Sequence, residues 1–149
     1  MSIFHLPLPN SRVTYKRVTG TNPAANVELG DAVPANKIWI LLSYFVALVQ
    51  GITQTPQPIL QFDDGVNVFW ESIGSTAAQA ASTTCAYTWA HCYTAPTAQF
   101  SAGATVRSFA PLSQIPLLAG YHIKSSTLGL GANSDYGAPL LYVAEIDLS

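Results

Sequence analysis

Charge is what this sequence has least of. Only 9 % of its 149 residues are Asp, Glu, Lys or Arg, where a soluble domain ordinarily carries about 25 %. Val, Leu, Ile and aromatic residues are plentiful, so the deficit does not signal disorder. The surface must therefore be clad in Ser, Thr, Asn, Gln and Ala, or be covered by neighbouring molecules. A net charge of −2 with no run of Lys or Arg leaves no basic footprint for nucleic acid and nothing to draw the chain to an anionic membrane. Long apolar runs are missing too. Ile38 to Val49 is shorter than the ~20 residues of a spanning helix, and its β-branched and aromatic side chains suit a buried strand. Met1 to Pro9 has no basic start, apolar block or small-residue cleavage site, so it does not read as a secretory signal.

The residues of metal and nucleophile chemistry are equally sparse. Cys85 and Cys92 are the only cysteines, seven positions apart. On one strand that spacing puts them on opposite faces, so a bond between them would need an intervening turn. Two free thiols in a reducing cytoplasm are the expectation. His5, His91 and His122 are scattered, with no HExxH, His-x-His or Cys/His cluster. No GxSxG elbow carries a serine, and Gly129-Leu130-Gly131 opens a turn instead of a phosphate loop. No catalytic residue, metal or cofactor is assigned, and the chain is read as non-enzymatic.

What is present is alternation. No dozen residues hold apolar side chains at helical spacing between a cap and a stop. Short runs of period two, parted by Gly, Pro, Asn and Asp, fall at Arg12–Val18, Asn26–Leu29, Lys37–Gln50, Ile59–Phe62, Val66–Glu71, Ser82–Tyr93, Ala104–Phe109, Tyr121–Leu128 and Pro139–Leu148. Asp63-Asp64-Gly65 joins two of them as a hairpin, since Asp-Gly favours the positive φ of tight turns. Along Lys37–Gln50 one face takes Ile38, Ile40, Leu42, Tyr44, Val46 and Leu48, the other Trp39, Leu41, Phe45 and Val49. Apolar character on both faces means that both are covered, one by the core and the other by a neighbouring subunit. On Ser82–Tyr93, Cys85, Tyr87 and Trp89 oppose Thr84, Ala86 and Thr88. Tyr121–Leu128 and Pro139–Leu148 are expected to pair with each other, with Leu140, Tyr142, Ala144 and Ile146 inward and Glu145 and Asp147 outward. Gly74 to Thr84 suits a loop or a short helical turn equally. About eight strands at this spacing predict an all-β, single-domain, jelly-roll-like antiparallel sandwich over 12–149. An extended arm over 1–11 would precede it, because Phe4, Leu6 and Leu8 alternate with His5, Pro7 and Pro9.

Three functional classes remain to be weighed. The Asp63-Asp64 pair lacks the further oxygen ligands of a calcium loop and is explained by the turn. A glycosidase would require two facing acids, for which Glu71 and Glu145 are the strand-borne candidates, although solvent-facing positions suit them better. Trp39, Trp70 and Trp89 could stack on sugars, as in a receptor- or carbohydrate-binding module of a phage tail fibre or spike. A Trp within an alternating strand more often belongs to the core.

The order Val33-Pro34-Ala35-Asn36-Lys37-Ile38-Trp39, Asp63-Asp64-Gly65-Val66-Asn67, Pro116-Leu117-Leu118-Ala119-Gly120-Tyr121, Thr127-Leu128-Gly129-Leu130-Gly131-Ala132, Asp135-Tyr136 and Leu140-Leu141-Tyr142-Val143-Ala144-Glu145 resembles small β-sandwich virion proteins of tailed bacteriophages, of the head cement or decoration type. The resemblance covers about Val33 to Asp147. It implies a jelly-roll-like homotrimer, made in the host cytoplasm, that binds the outside of the capsid and bridges subunits of the major capsid protein. The assembly contacts expected on this basis are Phe4, Leu6, Leu8, Trp39 and Phe45. An extended apolar arm needs a groove or strand edge to cover it.

Overall fold

The computed structural model describes residues 12–51, 55–76, 78–93, 97–100 and 105–148. The proposed arm, with Phe4, Leu6 and Leu8, lies outside them. The described residues contain no helix, and form strands β1 (Val13–Thr19), β2 (Gly30–Ala32), β3 (Lys37–Val49), β4 (Gln57–Asp63), β5 (Val68–Ile73), β6 (Thr84–Ala90), β7 (Thr97–Phe100), β8 (Thr105–Pro111), β9 (Pro116–Leu117), β10 (His122–Leu128), β11 (Asp135–Tyr136) and β12 (Leu140–Asp147). The fold is the expected all-β sandwich of two packed sheets. The large sheet runs β1-β12-β3-β6-β8-β7, with β9 and β11 added along β3, and the small sheet runs β2-β10-β4-β5. Pairing is antiparallel except between β6 and β8, which are parallel. Among the described residues the strands number twelve, not about eight. β2, β9 and β11 are two or three residues long and too short to show a period, the four-residue β7 lies outside every expected run, and Asn26–Leu29 is no strand but the approach to β2.

The core lies between the sheets. Leu41, Tyr44, Val46, Leu48 and Leu141 from the large sheet and Leu60, Phe62 and Ile123 from the small sheet are buried there. Tyr44 meets Trp89 edge-on at 6.0 Å, and Tyr87 stacks on Trp89 at 5.9 Å. Trp89 Nε1 donates to the Ser72 carbonyl at 3.1 Å, which ties β6 to β5 across the sheets. Gly74, at the end of β5, passes so close to this cluster that a Cβ would come within 2.8 Å of both Trp89 and Tyr87.

The hairpin at Asp63-Asp64-Gly65 is present and joins β4 to β5. Gly65 takes φ +92°. Asp63 Oδ1 accepts from Gly65 N at 2.7 Å, and Asp64 Oδ1 from Val66 N and Asn67 N at 2.9 and 2.7 Å. Both carboxylates thus stabilise the turn through their side chains. Of the segment from Gly74 to Thr84, the described residues 74–76 and 78–83 form no helical turn and Gln79 is buried among them, while Thr84 opens β6.

Three expectations are corrected. β3 does not keep one face inward throughout. Trp39 and Leu41 point into the core, and so do Tyr44, Val46 and Leu48, because the β3–β12 register slips: Leu41 pairs with Val143, but Ser43 pairs with Tyr142. The extra residue, Leu42, is a β-bulge that swaps the strand's faces. Trp39, expected to face a neighbouring subunit, is therefore 3 % exposed and interior.

Next, the last two long strands are not partners. β10 lies in the small sheet between β2 and β4, and β12 in the large sheet between β1 and β3. Residues 129–139 cross between the sheets and deposit β11 against β3 on the way. Finally, on β12 the residues facing the core are Leu141, Val143 and Glu145, paired with Tyr44, Leu41 and Trp39; Ala144 and Ile146, expected inward, lie on the opposite face yet are buried. Tyr142 is half exposed on the outer face.

Candidate functional site

Glu145 is buried, not on a solvent face. It accepts from Trp39 Nε1 at 2.7 Å and pairs with Lys16 at 2.5 Å and Lys37 at 3.5 Å. Lys37 also pairs with Asp147 at 2.8 Å, and Lys16 lies 5.9 Å above the Trp39 ring. Burial raises the Glu145 carboxyl, but Lys16, Trp39 and Lys37 outweigh it and leave it lowered. A second polar group ties the small sheet together. Asp63 Oδ1 bonds His122 Nδ1 at 2.9 Å and Oδ2 pairs with Lys124 at 2.6 Å. Burial again opposes ionisation, yet Lys124, His122 and the Gly65 N–H hold the Asp63 carboxyl at about 2. In a third group, Glu28 Oε1 accepts from Thr127 N at 2.6 Å and Oε2 from Thr127 Oγ1 at 2.8 Å and from Ser125 Oγ, which fastens the β1–β2 segment to β10. All three clusters satisfy charge at strand junctions, which is structural work.

Glu71 and Glu145 do not converge. Glu71 contacts Gln61 at 3.2 Å at the hairpin edge, whereas the partners of Glu145 are Lys16, Lys37 and Trp39 at the β1–β12–β3 end of the large sheet. Among the described residues no three of His, Cys, Asp and Glu gather as a metal site. Cys85 is free and buried in the core, and Cys92 is free and exposed in the turn after β6.

The surface that stands apart is the outer face of the large sheet. The register puts Val13, Tyr15 and Arg17 of β1 in rows with Ile146, Ala144 and Tyr142 of β12 and with Ile38, Ile40 and Ser43 of β3, and Leu140 beside Phe45; Ala47 and Val49 extend the β3 side, while Ala144 and Ile146 are buried. The rows continue through Thr84, Ala86 and Thr88 of β6 to Arg107 and Phe109 of β8. Tyr15 is 74 % exposed, Tyr142 50 % and Phe45 38 %. A shallow depression of about 380 Å³ lies over Phe45, Ala47, Ala86, Thr88, Arg107 and Phe109. Among the described strand residues of this face only Arg17, Arg107 and Asp135 are charged. Of the five expected assembly residues, then, Phe45 alone is found on an open face; Trp39 is interior, and Phe4, Leu6 and Leu8 are not described. The tyrosines at 15 and 142 escaped sequence reasoning, although Tyr15 on an alternating edge strand was a usable signal.

A second concavity, of about 540 Å³, opens between the edge of β5 and the ends of β6 and β8, where Trp70 and Glu71 approach His91, Tyr93 and Gln114. Comparison with protein families, with characterised proteins and with solved structures returns no match.

Proposed function

We propose that this chain is a structural subunit that assembles with copies of itself through the outer face of its large sheet, and that it serves as a cement or decoration protein on a phage head. The observation that carries the first half is that face. It presents Val13, Tyr15, Phe45, Val49 and Tyr142 to solvent between rows of Ala and Thr, with almost no charge to keep it wet. Isolated apolar residues on a surface are ordinary, but a contiguous apolar face marks an interaction site. Five neighbouring strands about 4.8 Å apart and about seven residues long give a face of roughly 24 by 23 Å. With side-chain relief this approaches the ~800 Å² per partner of a standard protein interface. A face so poor in charge fits a second copy better than a charged partner, because little repulsion opposes the match.

The phage head, the trimer and the major capsid protein as partner come from the sequence resemblance. Strand order supports the jelly-roll part of it. With β7, β8, β9 and β11 set aside, the remaining eight strands, counted in chain order, run 1-8-3-6 in one sheet and 2-7-4-5 in the other, the interleaving that two Greek keys generate.

The test is the molar mass in solution. Light scattering behind size-exclusion chromatography should give a multimer, and Ala86→Arg, in the depression beside Phe45, should give a folded monomer. A wild-type chain that is monomeric at about 100 μM, a hundredfold above the ~1 μM at which a modest interface of about −8 kcal/mol forms, overturns self-assembly. Failure to co-sediment with purified phage heads overturns the cement role while leaving self-assembly standing.

A further inference from the structure

We infer that the cleft between the β5 edge and the β6 and β8 ends is a binding site for a neutral carbohydrate, adjoining the assembly face at Phe109 but lined by other residues. The cleft, at about 540 Å³, falls in the size range of small-ligand sites. Its walls combine two kinds of group. Trp70 and Tyr93 are half-buried aromatics, and both are braced from behind. Trp70 stacks on Phe62 with ring centroids 4.4 Å apart and planes 26° from parallel, and Phe62 is itself wholly buried. Tyr93 packs on Phe109 at 5.0 Å, and its N–H donates to the Ala90 carbonyl at 3.2 Å. Leu112, 4 % exposed, closes the base.

Around these rings stand Glu71, His91 and Gln114, all exposed. Among the described residues, the side-chain polar atoms of His91, Tyr93, Gln114 and Trp70 have no hydrogen-bond partner, and Glu71 spends one oxygen on Gln61. Braced aromatic rings beside an amide, an imidazole and the one remaining oxygen of a carboxylate match a molecule with an apolar C–H face and a hydroxyl edge. That molecule is a pyranose ring. An anionic ligand is disfavoured, because the cleft's one charged side chain is the Glu71 carboxylate. A purely apolar ligand would leave four polar groups desolvated and unpaired, which is costly. Rigid aromatics also lose little entropy on binding.

The competing occupant is an extended peptide added to β5, which has a partner strand on one side only in the small sheet. The cleft favours the sugar, because strand addition would use the backbone of β5 and would need neither Tyr93 nor Gln114.

Saturation-transfer NMR on the full chain distinguishes these possibilities, with glucose, galactose and N-acetylglucosamine oligomers of up to six units as probes. Transfer to the ring C–H protons of at least one oligomer is expected, with quenching of tryptophan fluorescence in the same titration. Tyr93→Ala and Gln114→Ala should each weaken binding about tenfold, near 1.4 kcal/mol, with circular dichroism unchanged. They are preferred to a Trp70 variant, whose loss of stacking on Phe62 could perturb the fold. Ala86→Arg should bind the sugar as wild type does, so loss of assembly and loss of sugar binding are told apart. No transfer from any oligomer overturns the inference, as does binding that survives both cleft variants, or binding of an extended hexapeptide in place of every sugar.

Discussion

At the scale of single residues, the informative groups are polar ones that the core has to accommodate. Tyr44 is wholly buried, and among the described residues its hydroxyl has no hydrogen-bond partner. Burial pushes its ionisation well up, so the group is a neutral phenol at any ordinary pH. An unpaired buried hydroxyl costs more than its absence. Tyr44→Phe is therefore expected to stabilise the chain by about 1 kcal/mol, read as a higher urea midpoint with unchanged slope. A lowered midpoint would show that the hydroxyl holds a buried water.

Asp63 behaves in the opposite way, because it is ionised and fully engaged. Its carboxyl lies at about 2 in the folded chain against 3.8 when free. A carboxyl lowered on folding stabilises the fold above its unfolded value, and that contribution fades as pH falls from about 4 to about 2. Its partners are partly exposed, His122 by 43 % and Lys124 by 37 %, so the contribution is of order 1 kcal/mol once solvent screening is discounted. Urea titrations between pH 7 and pH 2.5 should show the wild type losing this increment where Asp63→Asn loses none. Parallel curves for the two proteins would disprove the assignment.

At the scale of elements, the residues 78–83 that lead into β6 show how one side chain can replace secondary structure. Gln79 Nε2 donates to the Leu48 and Thr83 carbonyls at 3.0 and 2.8 Å, its Oε1 accepts from Tyr87 at 3.2 Å, and its N–H donates to the Pro56 carbonyl at 2.8 Å. Removing the amide takes the acceptor from the buried Tyr87 hydroxyl and a donor from the Leu48 and Thr83 carbonyls, the latter keeping Gln50 N–H, at about 1–3 kcal/mol. Gln79→Ala should thus cost about 2 kcal/mol, measured by chemical denaturation. A change below about 0.5 kcal/mol would mean that water enters in its place.

The same stretch marks a limit of sequence reading. Ala-Ala-Gln-Ala-Ala looks the same whether its amide faces solvent or core, since only tertiary contacts decide that. By contrast, the strands carrying Cys85, Tyr87 and Trp89, and the hairpin at Gly65, were legible, because alternation and positive φ are local physics. The pairing of β10 with β4 was not, since chain proximity favours neighbours and a crossing segment leaves no periodic mark. At the candidate sites, alternation placed Phe45 on one face with Trp39 and Leu41, and the bulge at Leu42 separates them, leaving Phe45 exposed and the other two interior. The partners that Trp70 finds in the cleft come from residues more than twenty positions away, which no local pattern foretells.

At the scale of the whole molecule, the scarcity of charge noted at the outset acquires a place. Half of the ionised groups gather in small clusters at strand junctions, around Glu145, Asp63 and Glu28, while the broad outer face of the large sheet carries only Arg17, Arg107 and Asp135 among its described strand residues. Such a surface is a liability in a free monomer and an advantage in an assembly. If the copies associate there, folding and association are linked, and the unfolding temperature should rise with protein concentration. Calorimetric scans over a hundredfold range of concentration should show that rise in the wild type and not in Ala86→Arg. A concentration-independent midpoint in the wild type would count against the interface.

The extra residue in β3 has a consequence for how this chain tolerates change. Before Leu42 the sensitive positions of the strand are odd-numbered, Trp39 and Leu41; after it they are even-numbered, Tyr44, Val46 and Leu48. A saturation scan of 37–49 scored for solubility should record a rhythm that skips a beat at 42. Deleting that one residue would remove the bulge and leave Leu41, Ser43 and Tyr44 in plain alternation, with Tyr44, Val46 and Leu48 still inward and Phe45 and Val49 still outward. The skipped beat belongs to the extra residue alone, and the strand's inward set does not depend on it.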